Sequence, residues 1–151
     1  MLLRTHLALG LFAVLFILDN VTHAFVFVIV TLFASVLPDA DSAFSLIGRS
    51  RVLRPLQALT RHRGILHSFT FCVLISIILA FYIPIFALPF FLGYGLHLLA
   101  DSFTIEGIQP FWPFSFSSRG VVRVGSPVET TIFIVLCFID VVLLVGHVFT
   151  I

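Results

Sequence analysis

Charge is what this chain has least of. Aspartate, glutamate, lysine and arginine make up 10% of its 151 residues against 60% apolar ones, and mean hydropathy is +1.22. With 19 phenylalanines, that balance excludes an ordinary water-soluble globule. Lysine is absent, so all eight basic residues are arginines. Cysteine is scarce too: Cys72 and Cys137 lie inside apolar runs and form no CxxC or Cys/His ligand spacing. They read as packed free thiols, which sets aside a redox pair or a cysteine-based zinc site. The apolar run Leu7 to Leu18 behind Arg4 has the outline of a signal-peptide core, but Thr22-His23-Ala24 is a poor small-x-small cleavage site. The run is therefore expected to stay in the protein. No internal repeat or low-complexity tract is present, and no nucleic-acid partner is expected.

What remains is an all-α integral membrane protein, a single transmembrane helical domain over 1–151. A spanning helix needs roughly 17 to 25 mostly apolar residues. Five candidate spans follow: Leu2 to Leu18, His23 to Leu37, Ile65 to Ile83, Ile85 to Ala100 and Val128 to Ile151, of which the second and fourth are short. Asp19-Asn20 reads as the polar turn between the first two. Pro38 ends the second, and Pro84 splits one long apolar run into two antiparallel spans. The Asp39 to Arg63 segment, rich in arginine, suits a cytoplasmic stretch with a short amphipathic helix. The arginines fall in three places: Arg4, then Arg49, Arg51, Arg54, Arg61 and Arg63, then Arg119 and Arg123. With five spans these lie on one side, which the positive-inside rule makes cytoplasmic. The N-terminus is then inside, the C-terminus outside, and the protein multi-pass in a cell (inner or plasma) membrane.

An ionisable group near the bilayer core costs about 2.5 to 3.5 kcal/mol on insertion scales, so those that persist mark sites. The five-span topology gathers them at one level. His6 begins helix one, Asp39 and Asp41 follow helix two, His62 and His67 precede helix three, His97 and Asp101 close helix four, and Glu129 opens helix five. His97 and Asp101 are four apart and share a helix face, a bidentate platform for a metal ion or else a hydrogen-bonded pair. In Leu37-Pro38-Asp39-Ala40-Asp41 two carboxylates two apart turn to one side if the chain is extended there, or simply form an acidic turn. Thr60-Arg61-His62-Arg63-Gly64-Ile65-Leu66-His67-Ser68 brings two imidazoles beside guanidiniums that can fork onto phosphate. Imidazole and carboxylate together suit a divalent metal, most of all zinc, with manganese as the alternative. Arg49, Arg51 and Arg54 are expected only to anchor the chain or meet anionic lipid.

The Ser102 to Pro127 loop, long enough to imply a function, contains Pro110-Phe111-Trp112-Pro113-Phe114-Ser115-Phe116. Its default role is interfacial anchoring; its sharper one is a wall or lid for an amphiphile. On the last helix Glu129, Asp140 and His147 form one stripe. Asp140 lies about 16 Å below Glu129 at 1.5 Å per residue and is expected to make an interhelical polar contact, with Asn20 or His23 as partner. His23 and His147 are poor ligand candidates near the outer surface.

The segments LPDADS, HRGILHS and HLLADSFTIEGIQPFWPFS, with the early Thr5-His6, resemble the YdjM-type family of inner-membrane proteins taken to be metal-dependent hydrolases. The likeness runs over nearly the whole chain in order. That family is distantly similar to zinc-dependent phospholipase C and related nucleases, in which an HxxxD pair at a helix end binds a multinuclear metal centre. The resemblance implies ligand roles for His97 and Asp101, with His67, Asp39, Asp41 and His6 as further candidates. The chain departs from the pattern in lacking a second HxxxE pair after Asp101, where only Glu129 can stand in.

The expected function is a metal-dependent hydrolase opening at the cytoplasmic membrane interface, acting on a phosphoester of a lipid or other amphiphile. The expected metal ligands are His62, His67, His97, Asp39, Asp41 and Asp101, with His6 and Glu129 as outer candidates. Asp39 or Asp101 would take the proton, and Arg63 would clamp the oxyanion. The alternatives are a divalent-metal transporter, or a regulatory membrane scaffold that recruits a soluble partner through its arginines. Membrane lipid is the partner common to all three readings, as substrate or as surroundings.

Overall fold

A computed structural model describes residues 1–41 and 65–150, the side chains of Ala40, Asp41 and Thr150 excepted. Within them the chain is helical: α1 (Leu3–Ile17), α2 (Ala24–Ala34), α3 (Phe69–Tyr82), α4 (Pro84–Ser102) and α5 (Pro127–Thr150). No strand occurs among the described residues; two isolated bridges, Thr104 with Val122 and Ile108 with Ser118, close the loop between α4 and α5. Among the described residues three stretches are long and apolar enough to cross a membrane: Leu3–Asn20, Pro84–Ser102 and Pro127–Phe149.

The second and third helices are the short ones, whereas the fourth, expected to be short, has 19 residues. Ser68 causes the late start of α3. Its Oγ accepts from the Phe71 N–H at 3.2 Å and donates to the Ile65 carbonyl at 2.6 Å, so Ile65–His67 is set off as a 3-10 turn before the helix. Serine at an N-cap satisfies a helix donor that would otherwise be left open. Proline at the first helical position needs no donor and has its φ preset. Pro84 therefore starts α4 two residues after α3 ends. At the other end of α2 the chain does not run on extended. Leu37–Asp41 is a 3-10 turn, a form that the fixed φ of Pro38 readily enters. The expectation that Asp39 and Asp41 share a side because the chain is extended there is thereby overturned.

The packing order follows from small residues. α4 is sandwiched between α2 and α3, and α1 packs on α2, α4 and α5. A Cβ on Gly93 would lie 2.1 Å from the Thr31 carbonyl oxygen, so glycine is what lets α4 close on α2. Ala34, Cys72, Phe90, Tyr94, Leu98 and Ile108 form the buried core at this junction. α5 touches the bundle through α1 and turns most of its surface outward, an arrangement that only a hydrocarbon surrounding makes favourable for so apolar a helix.

The α4–α5 loop is held by hydrogen bonds within itself and to the start of α3. Thr104 Oγ1 donates to the Asp101 carbonyl and accepts from the Gly107 N–H, while Phe69 N–H reaches the Pro110 carbonyl at 2.8 Å. Gly107 has φ 65°, and a Cβ there would meet the Ser118 carbonyl at 2.2 Å. Phe111, Trp112, Phe114 and Phe116 stand exposed on this loop, as interfacial anchors do.

Candidate metal centre

The last turn of α4 carries the pair on which the site is built. His97 and Asp101 are each 1% exposed, with His97 Nε2 3.7 Å from Asp101 Oδ2. His97 Nδ1 lies 2.8 Å from the Ser35 carbonyl oxygen. A carbonyl only accepts, so Nδ1 carries the proton and Nε2 presents a lone pair to the cluster. That lone pair has no hydrogen-bond partner. Gly93, one turn earlier on α4, permits the close approach of α2 that brings Ser35 within reach.

Three further side chains converge on this pair. From α1, His6 stacks its ring on that of His97 with centroids 3.8 Å apart and places Nε2 3.4 Å from Asp101 Oδ1. His67, in the turn before α3, has Nε2 3.9 Å from Asp101 Oδ2. Its turn is pinned by Tyr94, whose hydroxyl donates to the Leu66 carbonyl at 2.5 Å. Asp39, in the 3-10 turn after α2, brings Oδ1 to 3.9 Å from His97 Nε2. Burial raises the Asp39 carboxyl above the ordinary carboxylate range, and the nearby His6 pulls it part of the way back. The Met1 amine also sits on Asp101 Oδ1.

These side chains fit a metal. Two groups, His6/Asp39/His97 and His67/His97/Asp101, each present three ligand atoms within 4.8 Å of one another, and His97 is common to both. A tetrahedral ion with bonds of about 2.0 to 2.1 Å holds its ligand atoms roughly 3.3 to 3.4 Å apart, so modest contraction from the observed spacing is enough. Both nitrogens of His6, like Nε2 of His97, are buried and make no hydrogen bond. A buried imidazole left so is costly unless an ion or water completes it. The Ser35 carbonyl behind His97 is the kind of outer partner that orients a ligating histidine.

Five of the residues expected at the site thus meet: His6, Asp39, His67, His97 and Asp101. His62 and Arg63, with the other arginines of that segment, lie outside the described residues, as does the Asp41 side chain. Glu129 belongs to neither group. Its carboxylate accepts from Leu2 N–H at 2.5 Å, Gly125 N–H at 2.6 Å and Thr5 Oγ1 at 3.1 Å, which ties α5 to the start of α1. Asp140 does not meet Asn20 or His23. Its Oδ1 has no hydrogen-bond partner and the side chain lines a cavity with Arg4, Leu32 and Cys137, because α5 leans on α1 there and not on the polar turn. At the far end, His147 lies 3.7 Å from Asp19. Tyr94, Ser68, Ser35 and Gly93 were not singled out from the sequence. Tyr94 stands three residues before His97, on the same face of α4, and Ser68 directly follows His67; those spacings were the available signals.

No curated protein and no solved structure matches the chain. A family model, that of the YdjM inner membrane proteins, matches residues 1–149. With that match over nearly all of its length, the chain belongs to the YdjM inner membrane protein family.

Proposed function

We propose that this protein is a metal-dependent hydrolase of the membrane interface, acting on a phosphoester borne by an amphiphile. The observation that carries the reading is His97, its Nδ1 fixed by the Ser35 carbonyl and its Nε2 shared by both ligand groups without a hydrogen bond of its own. His6, His67, His97, Asp39 and Asp101 would hold one or two divalent ions, zinc fitting the imidazole-rich set best. Such an ion polarises a phosphoryl oxygen and lowers the pKa of a water. The protein's own share is to hold the three imidazoles against one another, His6 stacked and His67 edge-on to His97, and to keep Asp101 anchored by the Met1 amine. Asp39, whose side chain is 17% exposed where that of Asp101 is 2%, is the carboxylate placed to accept a proton and pass it outward.

The location at helix ends favours hydrolysis over transport, since transport sites form near the bilayer midplane on broken helices. Arg4, Arg119 and Arg123 at this end of the bundle support a cytoplasmic-side site under the positive-inside rule. Elemental analysis of purified protein tests the reading, followed by assay against monoalkyl and diacyl phosphoesters. Wild type should retain divalent metal and release phosphate or a phosphorylated headgroup, whereas Asp101→Ala should lose both. Metal retained in full with no phosphoester cleaved would overturn the hydrolase reading, and no retained metal would overturn the centre itself.

A further inference from the structure

Beside the cluster lies a cavity of about 390 Å³, lined by Met1, Thr5, Leu9, Leu96, Ala100 and Leu136 among others. It exists because α4 and α5 both pack on α1 but scarcely on one another, which leaves a cleft over α1 that Phe103 and Val122 of the loop roof at one end. Its wall is hydrocarbon throughout. The two lining residues with polar groups near the site turn them away: the Met1 amine goes to Asp101 and Thr5 Oγ1 to Glu129 at 3.1 Å. Three lining residues therefore adjoin the candidate ligands directly, Met1 through its contact and Thr5 and Ala100 as chain neighbours of His6 and Asp101. Leu136 lies about 10 Å further along α5 than Glu129, seven residues at 1.5 Å each, and forms the deep end with Leu9.

We infer that this cavity holds the hydrocarbon chain of the substrate, its phosphoester lying at the His6/His97/Asp101 end, and that Leu9 and Leu136 set the preferred chain length. A polar cluster that adjoins, through Met1, Thr5 and Ala100, an apolar cleft of this volume, within the range of small-molecule sites, matches a molecule with one ionic head and one alkyl tail. The inference rests on the hydrolase reading for the head of the molecule, while the tail site stands on the cleft alone.

The test uses full-length protein in lipid nanodiscs, photolabelled with monoalkyl phosphates of graded chain length that carry a terminal diazirine. Labelling should fall on Leu9 and Leu136 and be displaced by unlabelled alkyl phosphate of matching length. Leu136→Trp should shift the preference to shorter chains and Leu9→Ala to longer ones, both with metal content unchanged. Opposite shifts from a filling and an opening variant are not produced by misfolding. Labelling spread over outward residues such as Phe138, Val142 and Val148, and indifferent to both variants, would overturn the inference. Labelling in the cleft of a protein that retains no metal would support the tail site and remove the hydrolase reading; metal and phosphate release with no cleft labelling would do the reverse.

Discussion

At the scale of single residues, the site separates groups that hold from groups that position. In the proposed centre His97 is the holding residue, so His97→Ala should abolish metal retention; it also removes a buried ring stacked on His6 and leaves the Ser35 carbonyl unpartnered, so the melting temperature should fall as well. Elemental analysis beside a melting curve checks this, and metal retained at wild-type level would count against the centre. Glu129 differs from His97 in the metal. Its carboxylate collects three hydrogen bonds and joins α5 to α1; hydrogen bonds to a charged acceptor are worth about 1.5 to 3 kcal/mol each. Glu129→Gln should therefore lower the melting temperature and leave the metal-to-protein ratio intact. The residues that bear charge were legible in the sequence because an ionised group in an apolar chain is expensive and stands out. The three-way clamp around Glu129 was not, because two of its donors are backbone N–H groups, which any residue supplies.

At the scale of elements, the geometry of the centre depends on two close approaches. Gly93 allows α2 to lie against α4, and Tyr94 ties the Ile65–His67 turn to the same helix. Gly93→Ala puts a methyl 2.1 Å from the Thr31 carbonyl, so α2 must move and Ser35 draws off His97. Losing an outer partner of a ligand typically costs 10- to 100-fold in metal affinity, and overpacking costs about 1 to 3 kcal/mol in stability. Titration with a competing chelator should show the first and thermal unfolding the second. Tyr94→Phe isolates the other approach: it removes only the hydroxyl on Leu66, so stability should fall by about 1 kcal/mol while metal affinity falls through the loosened His67. An unchanged affinity would show that His67 is not held by that turn. Helix positions were readable from apolar runs and prolines, but these approaches were not. Whether α2 and α4 meet at Gly93 depends on crossing geometry, and nothing in a glycine's identity says which neighbour comes close. The α2 end shows the same limit, where Pro38 served equally as a helix stop and as part of a 3-10 turn.

At the scale of the molecule, the structure fixes which groups share an end of the bundle. Met1, Asp101, Glu129 and the loop with Arg119 and Arg123 lie at one end; Asp19 and His147, 3.7 Å apart, lie at the other. Among the described residues every arginine belongs to the first end, so the positive-inside rule predicts that this end faces the cytoplasm. The helix lengths bear on this too. At 1.5 Å per residue α4 and α5 reach about 28 and 36 Å, whereas α2 and α3 reach only about 16 and 21 Å against a hydrocarbon core of roughly 30 Å. If α2 and α3 cross with their flanking turns, five passes leave the two ends of the chain on opposite sides. With Cys72 and Cys137 replaced by alanine, single cysteines at the exposed positions Asp19 and Arg119 provide the test. A membrane-impermeant maleimide added to intact cells should label Asp19→Cys and leave Arg119→Cys untouched until the membrane is opened. Labelling of Arg119→Cys in intact cells would put the centre on the outer face, and the substrate would then have to be sought in the outer leaflet.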